Sequence, residues 1–253
     1  MTAAIETRDL TLRFGSFAAV DGVSLSLQPG ARHAIIGPNG AGKTSFVHAL
    51  TGSIPATSGA VLIAGADVTR KSQAERVHQG LARTFQINQL FLGLSVLDNV
   101  LMAVLERDGH AGVFWRSIRS QKAEIDEAHH YLAMVQLDHC ADEPVAALPY
   151  GLRRLLEIAI ALATKPRVLI LDEPAAGVPT TQSEVIFERI NALPDDMTLL
   201  FIEHDMNLVF RFAQRITVLV AGQVMTEGTP AEISADERVK EVYLGRRGHH
   251  AVA

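Results

Sequence analysis

Eight consecutive residues near the start of the chain combine glycines, a lysine and a threonine in an order that suits phosphate binding. The pattern G-x-x-x-x-G-K-[ST] is filled by Gly37, Pro38, Asn39, Gly40, Ala41, Gly42, Lys43 and Thr44. Glycines allow backbone N–H groups to turn inward around phosphate oxygens, and a helix starting here directs its positive end at the same anion. Lys43 can reach the β- and γ-phosphates, and the Thr44 hydroxyl can bind Mg²⁺. The segment, continued by Ser45, therefore predicts a site for a nucleoside triphosphate and Mg²⁺.

A pair of carboxylates follows a continuous apolar run later in the chain. Residues 168–171 read Val-Leu-Ile-Leu and lead directly into Asp172 and Glu173. Alone, such a pattern is often structural, but the carboxyl ends of parallel strands adjoin the phosphate loop in α/β nucleotide-binding folds. We therefore expect Asp172 to hold Mg²⁺, directly or through water, and Glu173 to polarise an attacking water.

The elements that must position these residues can be read from the hydrophobic pattern. Segments 10–14 and 23–27 alternate apolar and polar residues, which is typical of half-buried strands. A short buried strand at 34–36 precedes the phosphate loop, and a helix over 44–50 should stop near Gly52. A further strand pair begins at about residue 61.

The second half of the chain alternates helical and buried strand patterns. Residues 95–137 are helical in character, 167–171 and 199–202 predict buried strands, and 218–226 predicts a hairpin. Alternating strands and helices imply an α/β fold. Because the helical stretch at about 88–162 separates two strands of one core, we interpret it as an inserted subdomain.

Composition excludes some classes of function. The net charge of −5 provides no basic surplus for nucleic acid, so we expect no nucleic-acid partner. A single cysteine, Cys140, excludes an intramolecular disulfide. No apolar run approaches the ~18 residues needed to span a bilayer, so a partner would have to carry any spanning helices.

Several further stretches resemble the ATP-binding subunits of ABC transporters, and among them most closely those of branched-chain amino acid importers. These stretches are Ala82-Arg83-Thr84-Phe85-Gln86, residues 94–100, residues 155–159, residues 171–177, Glu227-Gly228-Thr229-Pro230 and Val242-Tyr243-Leu244-Gly245. The resemblance extends over about residues 5–244. It implies an α/β P-loop NTPase (ABC ATPase) core with an N-terminal antiparallel β subdomain and an inserted α-helical signature subdomain. One domain would then cover 1–245 and be followed by a flexible tail at 246–253.

The resemblance also implies roles for residues that spacing alone does not explain. Gln86 matches the glutamine that links bound Mg²⁺ and water to the membrane-facing surface, and His204 matches the switch histidine that contacts the γ-phosphate. Phe14 matches the aromatic residue that stacks on adenine, although a core position would also suit it.

The resemblance further implies a set of partners. Two ATPase subunits, identical or different, would enclose two ATP molecules, joined by transmembrane permease subunits and indirectly by a periplasmic or extracellular solute-binding protein. This complex would place the chain peripherally on the cytoplasmic face of the inner or plasma membrane.

The sequence departs from the family at two places that face the other subunit. The signature loop, normally Leu-Ser-Gly-Gly-Gln or Leu-Ser-Tyr-Gly-Gln, is here Leu148, Pro149, Tyr150, Gly151 and Leu152. Pro149 lacks the serine hydroxyl and the backbone N–H. The segment after Gly177 is Val178-Pro179-Thr180 in place of Leu-Asn-Pro or Leu-Asp. We hypothesise that, beside an ATPase with an intact signature, the phosphate loop of this chain hydrolyses ATP and the site using Pro149 is slow.

Several alternatives remain open at this stage. In a homodimer both ATP sites would be impaired. Alternatively, the signature loop tolerates its departures from the family pattern. The chain could also be a weakly hydrolysing subunit. The solute could be urea, an amide or an aromatic acid, and a lipopolysaccharide-type exporter shares the ending at 242–245. An ABC protein of translation or DNA repair usually carries two such domains or a long coiled-coil insertion, and this chain has neither. The signature region and His204 argue against a kinase or GTPase.

Overall fold

The computed structural model describes residues 2–84, 90–109 and 122–244. The described residues form two compact units. The first unit combines the described residues of 1–73 and 198–253, and the second unit consists of the described residues of 74–197. Gln86 and the predicted tail at 246–253 lie outside the described residues, and the predicted single domain with a helical insertion at about 88–162 stays a prediction.

Ten strands and nine α-helices are found in the described part of the chain. The strands are β1 (Ile5–Phe14), β2 (Phe17–Leu27), β3 (Arg32–Ile36), β4 (Ser58–Ile63), β5 (Ala66–Asp67), β6 (Leu81–Arg83), β7 (Val168–Asp172), β8 (Thr198–Ile202), β9 (Arg215–Val220) and β10 (Gln223–Gly228). The helices are α1 (Lys43–Thr51), α2 (Gln73–His78), α3 (Val96–Arg107), α4 (Lys122–Met134), α5 (Tyr150–Ala163), α6 (Thr180–Asn191), α7 (Met206–Phe212), α8 (Pro230–Ala235) and α9 (Glu237–Leu244).

The N-terminal strands form an antiparallel sheet, as predicted, and their order in it is β2-β1-β4-β5. β1 begins at Ile5, five residues before the predicted strand, because its apolar–polar alternation is interrupted. Asp9 has φ 45, and the register against β2 shifts between Thr7 and Leu10. Such a bulge changes the face on which the following side chains lie, so a strict two-residue period finds only the second half of the strand.

The core of the first unit is built on buried parallel strands. β3 pairs in parallel with both β8 and β9, and β10 returns antiparallel to β9. All five residues of β3 and all five of β8 are buried. Strands covered on both faces read as continuous apolar runs, which is why 34–36 and 199–202 could be predicted from the sequence.

Helices dominate the second unit, together with the parallel pair β6 and β7. The Ser95 hydroxyl caps α3 by accepting from the Asp98 N–H, which sets the start of that helix. Arg107, the last residue of α3, donates to both Glu127 oxygens on α4 and to the Ala163 carbonyl of α5. This cluster ties three helices together. Within the described residues, no helix is both long and apolar enough to cross a membrane.

Candidate functional site

The predicted phosphate loop lies in the first unit between the end of β3 and the start of α1. Gly42 precedes the helix with φ 98 and ψ 3, a left-handed conformation that favours glycine. No side chain caps α1, so no side-chain acceptor occupies the first N–H groups of this helix. A helix start of this kind is an anion site, because its unpaired N–H groups and its dipole both favour negative charge.

Two glycines of the loop are required by close packing against other backbone segments. A Cβ atom on Gly37 would lie 2.2 Å from the Leu219 carbonyl oxygen of β9. A Cβ atom on Gly42 would lie 2.2 Å from the Ala19 carbonyl oxygen of β2. Neither distance is possible for real atoms, so the loop fits its setting only with glycine at both positions.

The β9–β10 hairpin holds the loop from the other side. The Gly222 N–H donates to the Ala41 carbonyl at 2.9 Å, and the Asp21 N–H donates to the Gly222 carbonyl at 2.9 Å. Gly222 thereby connects the phosphate loop to β2. The sequence pattern did not predict this support, because it joins residues about 180 positions apart along the chain.

Lys43 is buried inside the loop that precedes it. Its Nζ donates to the Gly37 carbonyl at 2.8 Å and to the Pro38 carbonyl at 3.1 Å. A buried ammonium group requires such acceptors. The lysine is therefore held in the centre of the loop, where phosphate oxygens would be stronger acceptors than carbonyls.

Tyr243 on α9 joins the C-terminal helix to the same loop. Burial raises the pKa of the Tyr243 hydroxyl to about 12, and a hydrogen bond with the Gly37 backbone opposes that rise. In the sequence, Tyr243 stands out only as part of the ending at 242–245 that resembles the family. Its contact with the phosphate loop is a site feature that sequence reasoning missed.

His204 follows β8 and belongs to the same sheet edge as the phosphate loop. Ile35 of β3 is in register with Ile202 of β8, so the segments that leave these two strands start side by side. His204 is exposed, its N–H donates to Glu203 Oε2 at 3.0 Å, and Asp205 caps α7 through the Asn207 N–H. The first unit therefore brings the predicted switch histidine to the edge that carries the phosphate loop.

Phe14 lies at the tip of the β1–β2 hairpin, paired in register with Phe17. The two rings are 52% and 63% exposed. The alternative that Phe14 is a core residue is therefore wrong. An aromatic ring left in solvent is free to stack on a planar base.

Asp172 and Glu173 lie in the second unit at the end of β7. The Asp172 Oδ2 accepts from the Arg83 Nη2 at 2.6 Å, and the pair is almost completely buried. Asp172 Oδ1 is buried and has no hydrogen-bond partner among the residues that the structure describes. An unpartnered, buried anionic oxygen fits a hydrated divalent cation.

Glu173 has a backbone conformation that is rare for a residue with a side chain. Its φ is 50, in the left-handed region, and its carbonyl accepts from the Ala176 N–H at 3.0 Å. Strain of this kind persists where the surrounding structure enforces it, often at functional sites. The turn directs the chain away from β7 immediately after the two acidic residues.

The predicted signature loop leads into α5, and Pro149 occupies the N-cap position. Its φ of −55 and ψ of 152 are unstrained, and its carbonyl accepts from the Leu152 and Arg153 N–H groups. Arg153 folds back over the loop and donates to the Leu148 and Ala146 carbonyls, both at 2.9 Å. The prediction that the helix start tolerates proline is consistent with this geometry.

The two departures from the family pattern are neighbours in the second unit. A Cβ on Gly177 would lie 3.5 Å from the Tyr150 ring, and one on Gly151 would lie 3.0 Å from the Gln182 side-chain oxygen. Pro179 is the N-cap of α6 as Pro149 is of α5. The signature loop and the segment after Gly177 therefore form one surface.

Metal binding by side chains alone is not supported in the described ranges 2–84, 90–109 and 122–244. They contain no group of three or more His, Cys, Asp and Glu side chains that could hold a metal ion. Magnesium commonly takes only one or two protein carboxylates and completes its shell with water and substrate phosphates. Asp172 and Thr44 each carry an oxygen of the kind that magnesium accepts as a ligand.

Two family models match the chain. The model described as ABC transporter matches residues 20–176, which include the phosphate loop, Pro149 and Glu173. The model described as branched-chain amino acid ATP-binding cassette transporter matches residues 223–249, which include β10, α8 and α9. The second match therefore covers the helix that carries Tyr243.

Curated relatives match over almost their whole length. The high-affinity branched-chain amino acid transport ATP-binding protein BraF of Pseudomonas aeruginosa is 36% identical over 95% of this chain and 97% of its own. The probable branched-chain amino acid transport ATP-binding protein LivG of Methanocaldococcus jannaschii is 33% identical over the same shares.

Solved structures of ATP-binding cassettes from ABC transporters are also similar to this chain. A crystal structure described as the ADP conformation of an ATP-binding cassette of an ABC transporter is similar to this chain with a TM-score of 0.86 and 32% identity. That similarity covers 97% of this chain and 100% of the other. A nucleotide-free cassette gives a TM-score of 0.84 at 32% identity.

Proposed function

Because the chain belongs to the ATP-binding subunits of ABC transporters, homologous to those of branched-chain amino acid importers, we propose that it powers the import of branched-chain or related amino acids. It binds ATP with Mg²⁺ on its phosphate loop and hydrolyses it. The substrate class follows the names of the relatives and the match of residues 223–249.

The observation that carries the proposal is the geometry of the phosphate loop. The uncapped start of α1, the buried Lys43 and the glycines at 37 and 42 together suit a polyphosphate. The adenine would stack on the exposed Phe14. In this scheme the Thr44 hydroxyl and Asp172 would hold Mg²⁺, which would supply charge neutralisation for phosphoryl transfer.

The remaining site residues act on the attacking water and the γ-phosphate. Glu173 polarises the water, His204 contacts the γ-phosphate, and Gln86 links the site to the membrane-facing surface. The left-handed backbone of Glu173 and the position of His204 beside the phosphate loop support two of these roles.

Transport requires a surface for the permease, and the second unit offers one. Phe91, Leu92 and Leu94 expose apolar side chains in one short loop. Asn99 pins that loop, donating to the Phe91 carbonyl at 3.1 Å and accepting from the Phe91 N–H at 2.9 Å. An exposed apolar loop on a rigid base suits docking of a membrane subunit at the cytoplasmic face.

The same loop is hydrogen-bonded to the segment that precedes the signature loop. The Val145 N–H donates to the Leu94 carbonyl at 3.0 Å, and the Ala146 N–H donates to the Leu92 carbonyl at 3.1 Å. Arg153 then joins Ala146 to Leu148. A displacement of the docking loop by a permease would therefore reach the surface that faces the second ATPase subunit.

Reconstitution tests the proposal. The chain is assembled with the permease, partner ATPase and solute-binding protein encoded with it, and uptake of labelled leucine into liposomes is measured with ATP inside. We expect uptake and Mg-ATP hydrolysis that are both lost in Lys43→Ala. If the complex hydrolyses ATP and takes up urea, amides or aromatic acids but no leucine, the proposed substrate class is wrong. If the full complex does not hydrolyse ATP, the proposed function is contradicted.

A further inference from the structure

A buried ion pair in the second unit contains an arginine to which the proposed function gives no role. Arg83 ends β6 and Asp172 ends β7, and the parallel register places Arg83 opposite Ile170. The Arg83 Nη2 donates to the Asp172 Oδ2 at 2.6 Å, with side chains 7% and 1% exposed. Water screens such a pair only slightly, so each charge strongly affects the other.

Arg83 donates a hydrogen bond to one oxygen of the Asp172 carboxylate and makes none to the other. Within the described residues, Asp172 Oδ1 has no hydrogen-bond partner although it is buried. A buried carboxylate is unfavourable without a compensating cation, and Arg83 supplies one from its own sheet. Arg83 thereby orients the carboxylate, with one oxygen held by the guanidinium and the other directed elsewhere.

We propose that Arg83 is a placeholder cation for Mg²⁺: it compensates Asp172 when no metal is bound and weakens Mg²⁺ binding when nucleotide arrives. The inference rests on the proposed function, in which Asp172 serves Mg²⁺. Arg83 acts through Asp172 and is a positioning residue. It stabilises the metal-free protein and raises the Mg²⁺ concentration that tight nucleotide binding requires, because two cations then share one carboxylate.

The test is a Mg²⁺ titration of the full chain with a fluorescent, non-hydrolysable ATP analogue. We expect Arg83→Gln to reach half-maximal Mg²⁺-dependent binding at a roughly tenfold lower Mg²⁺ concentration than the wild type. Arg167→Gln is the matched control, because Arg167 is exposed and precedes β7 at the end away from Asp172. It removes the same charge and should leave the midpoint unchanged. An unchanged or higher midpoint in Arg83→Gln overturns the inference.

Thermal unfolding provides a readout that a purely structural arginine would not reproduce. We expect Arg83→Gln to lower the Tm more in EDTA than with Mg²⁺ and the analogue, because the metal replaces the missing charge. The increase in Tm caused by Mg²⁺ and the analogue is therefore larger in the variant than in the wild type. Equal losses under both conditions would mean that Arg83 only supports the fold, and would overturn the inference.

Two additional variants cover the remaining outcomes. If Arg83→Gln does not fold, Arg83→Lys, whose shorter side chain weakens the pair, must lower the Mg²⁺ midpoint by roughly two- to threefold; no decrease overturns the inference.

Asp172→Asn tests the proposed metal role separately. If it leaves the Mg²⁺ response intact, the metal assignment fails and the inference fails with it. If it removes the response while Arg83→Gln changes nothing, only the inference fails.

Discussion

The helices that follow the phosphate loop and the signature loop begin in opposite ways. α1 follows Gly42, which has a left-handed backbone and brings no side-chain acceptor to the first N–H groups of the helix. α5 follows Pro149, which has neither an N–H nor a side-chain donor. The first start is suited to bind an anion, whereas the second loses donors at the position where the family has serine.

Folding and phosphate binding are therefore separable at the signature loop. Arg153 and the Pro149 carbonyl hold that loop together without a hydroxyl. At the phosphate loop, folding and phosphate binding are inseparable, because Gly37 and Gly42 are required both by packing and by the path of the backbone. We therefore expect selection for folding to preserve the phosphate loop and to tolerate proline in the signature loop.

The largest expected effect comes from Glu173, the carboxylate that we propose polarises the attacking water. In a complex with a different ATPase subunit, Glu173→Gln should reduce hydrolysis at least about 100-fold, because it removes the proposed general base at the site that keeps its full set of residues. Phosphate release from the assembled complex measures it. The matched control is the equivalent substitution in the partner, for which we expect a small loss. Equal losses from the two substitutions would remove the asymmetry between the loops.

Gly42 tests how strictly packing constrains the phosphate loop. Gly42→Ala should lower the free energy of unfolding by about 3 kcal/mol, from a strained backbone and a Cβ that collides with the Ala19 carbonyl. Gly40 is the matched control, because it has φ 80 but no atom within 4 Å of the place that a Cβ would occupy. Gly40→Ala should cost about 1 kcal/mol. Urea unfolding distinguishes the two, and equal costs would show that packing is not the constraint.

Acid should weaken the unit that carries the phosphate loop. His33 on β3 is buried, its Nε2 lies 2.7 Å from the Thr217 hydroxyl, and burial lowers its pKa to about 4. The unfolded chain binds a proton on this histidine near pH 6.5 and the folded chain only near 4, so stability falls as pH drops through that interval. Between pH 7 and 5 the loss amounts to about 2 kcal/mol.

His33→Gln provides the control for this acid effect, because glutamine can hydrogen-bond Thr217 but does not titrate. We expect the variant to lose about 2 kcal/mol less than the wild type between pH 7 and 5 in urea unfolding. In the second unit, hydrogen bonds from Arg107 keep the pKa of Glu127 near 2, so the helix cluster retains its charges throughout this range. Identical pH dependence in wild type and variant would contradict the assignment to His33.

The sequence predicted those parts of the fold and site that short-range pattern determines. The phosphate loop, the start of α1 and the buried strand before Asp172 are encoded by glycine spacing and continuous apolar runs. The Arg83–Asp172 pair joins residues 89 positions apart, so only the sheet register brings them together. The Asp9 bulge, likewise, changes the period on which a strand prediction depends. Tyr243 contacts Gly37 through tertiary packing that no local pattern contains.

Restoring serine in the signature loop is the smallest and most direct test of the comparison. In a Glu173→Gln background, remaining hydrolysis comes from the ATP that faces Pro149, and Pro149→Ser should raise it roughly tenfold by returning a donor to the γ-phosphate. Serine is also a favoured N-cap residue, so α5 should not be weakened. Pro179→Ser is the matched control at the start of α6. If Pro149→Ser leaves the residual rate unchanged, the loop is competent as it stands, and its proline is only a different way to start a helix.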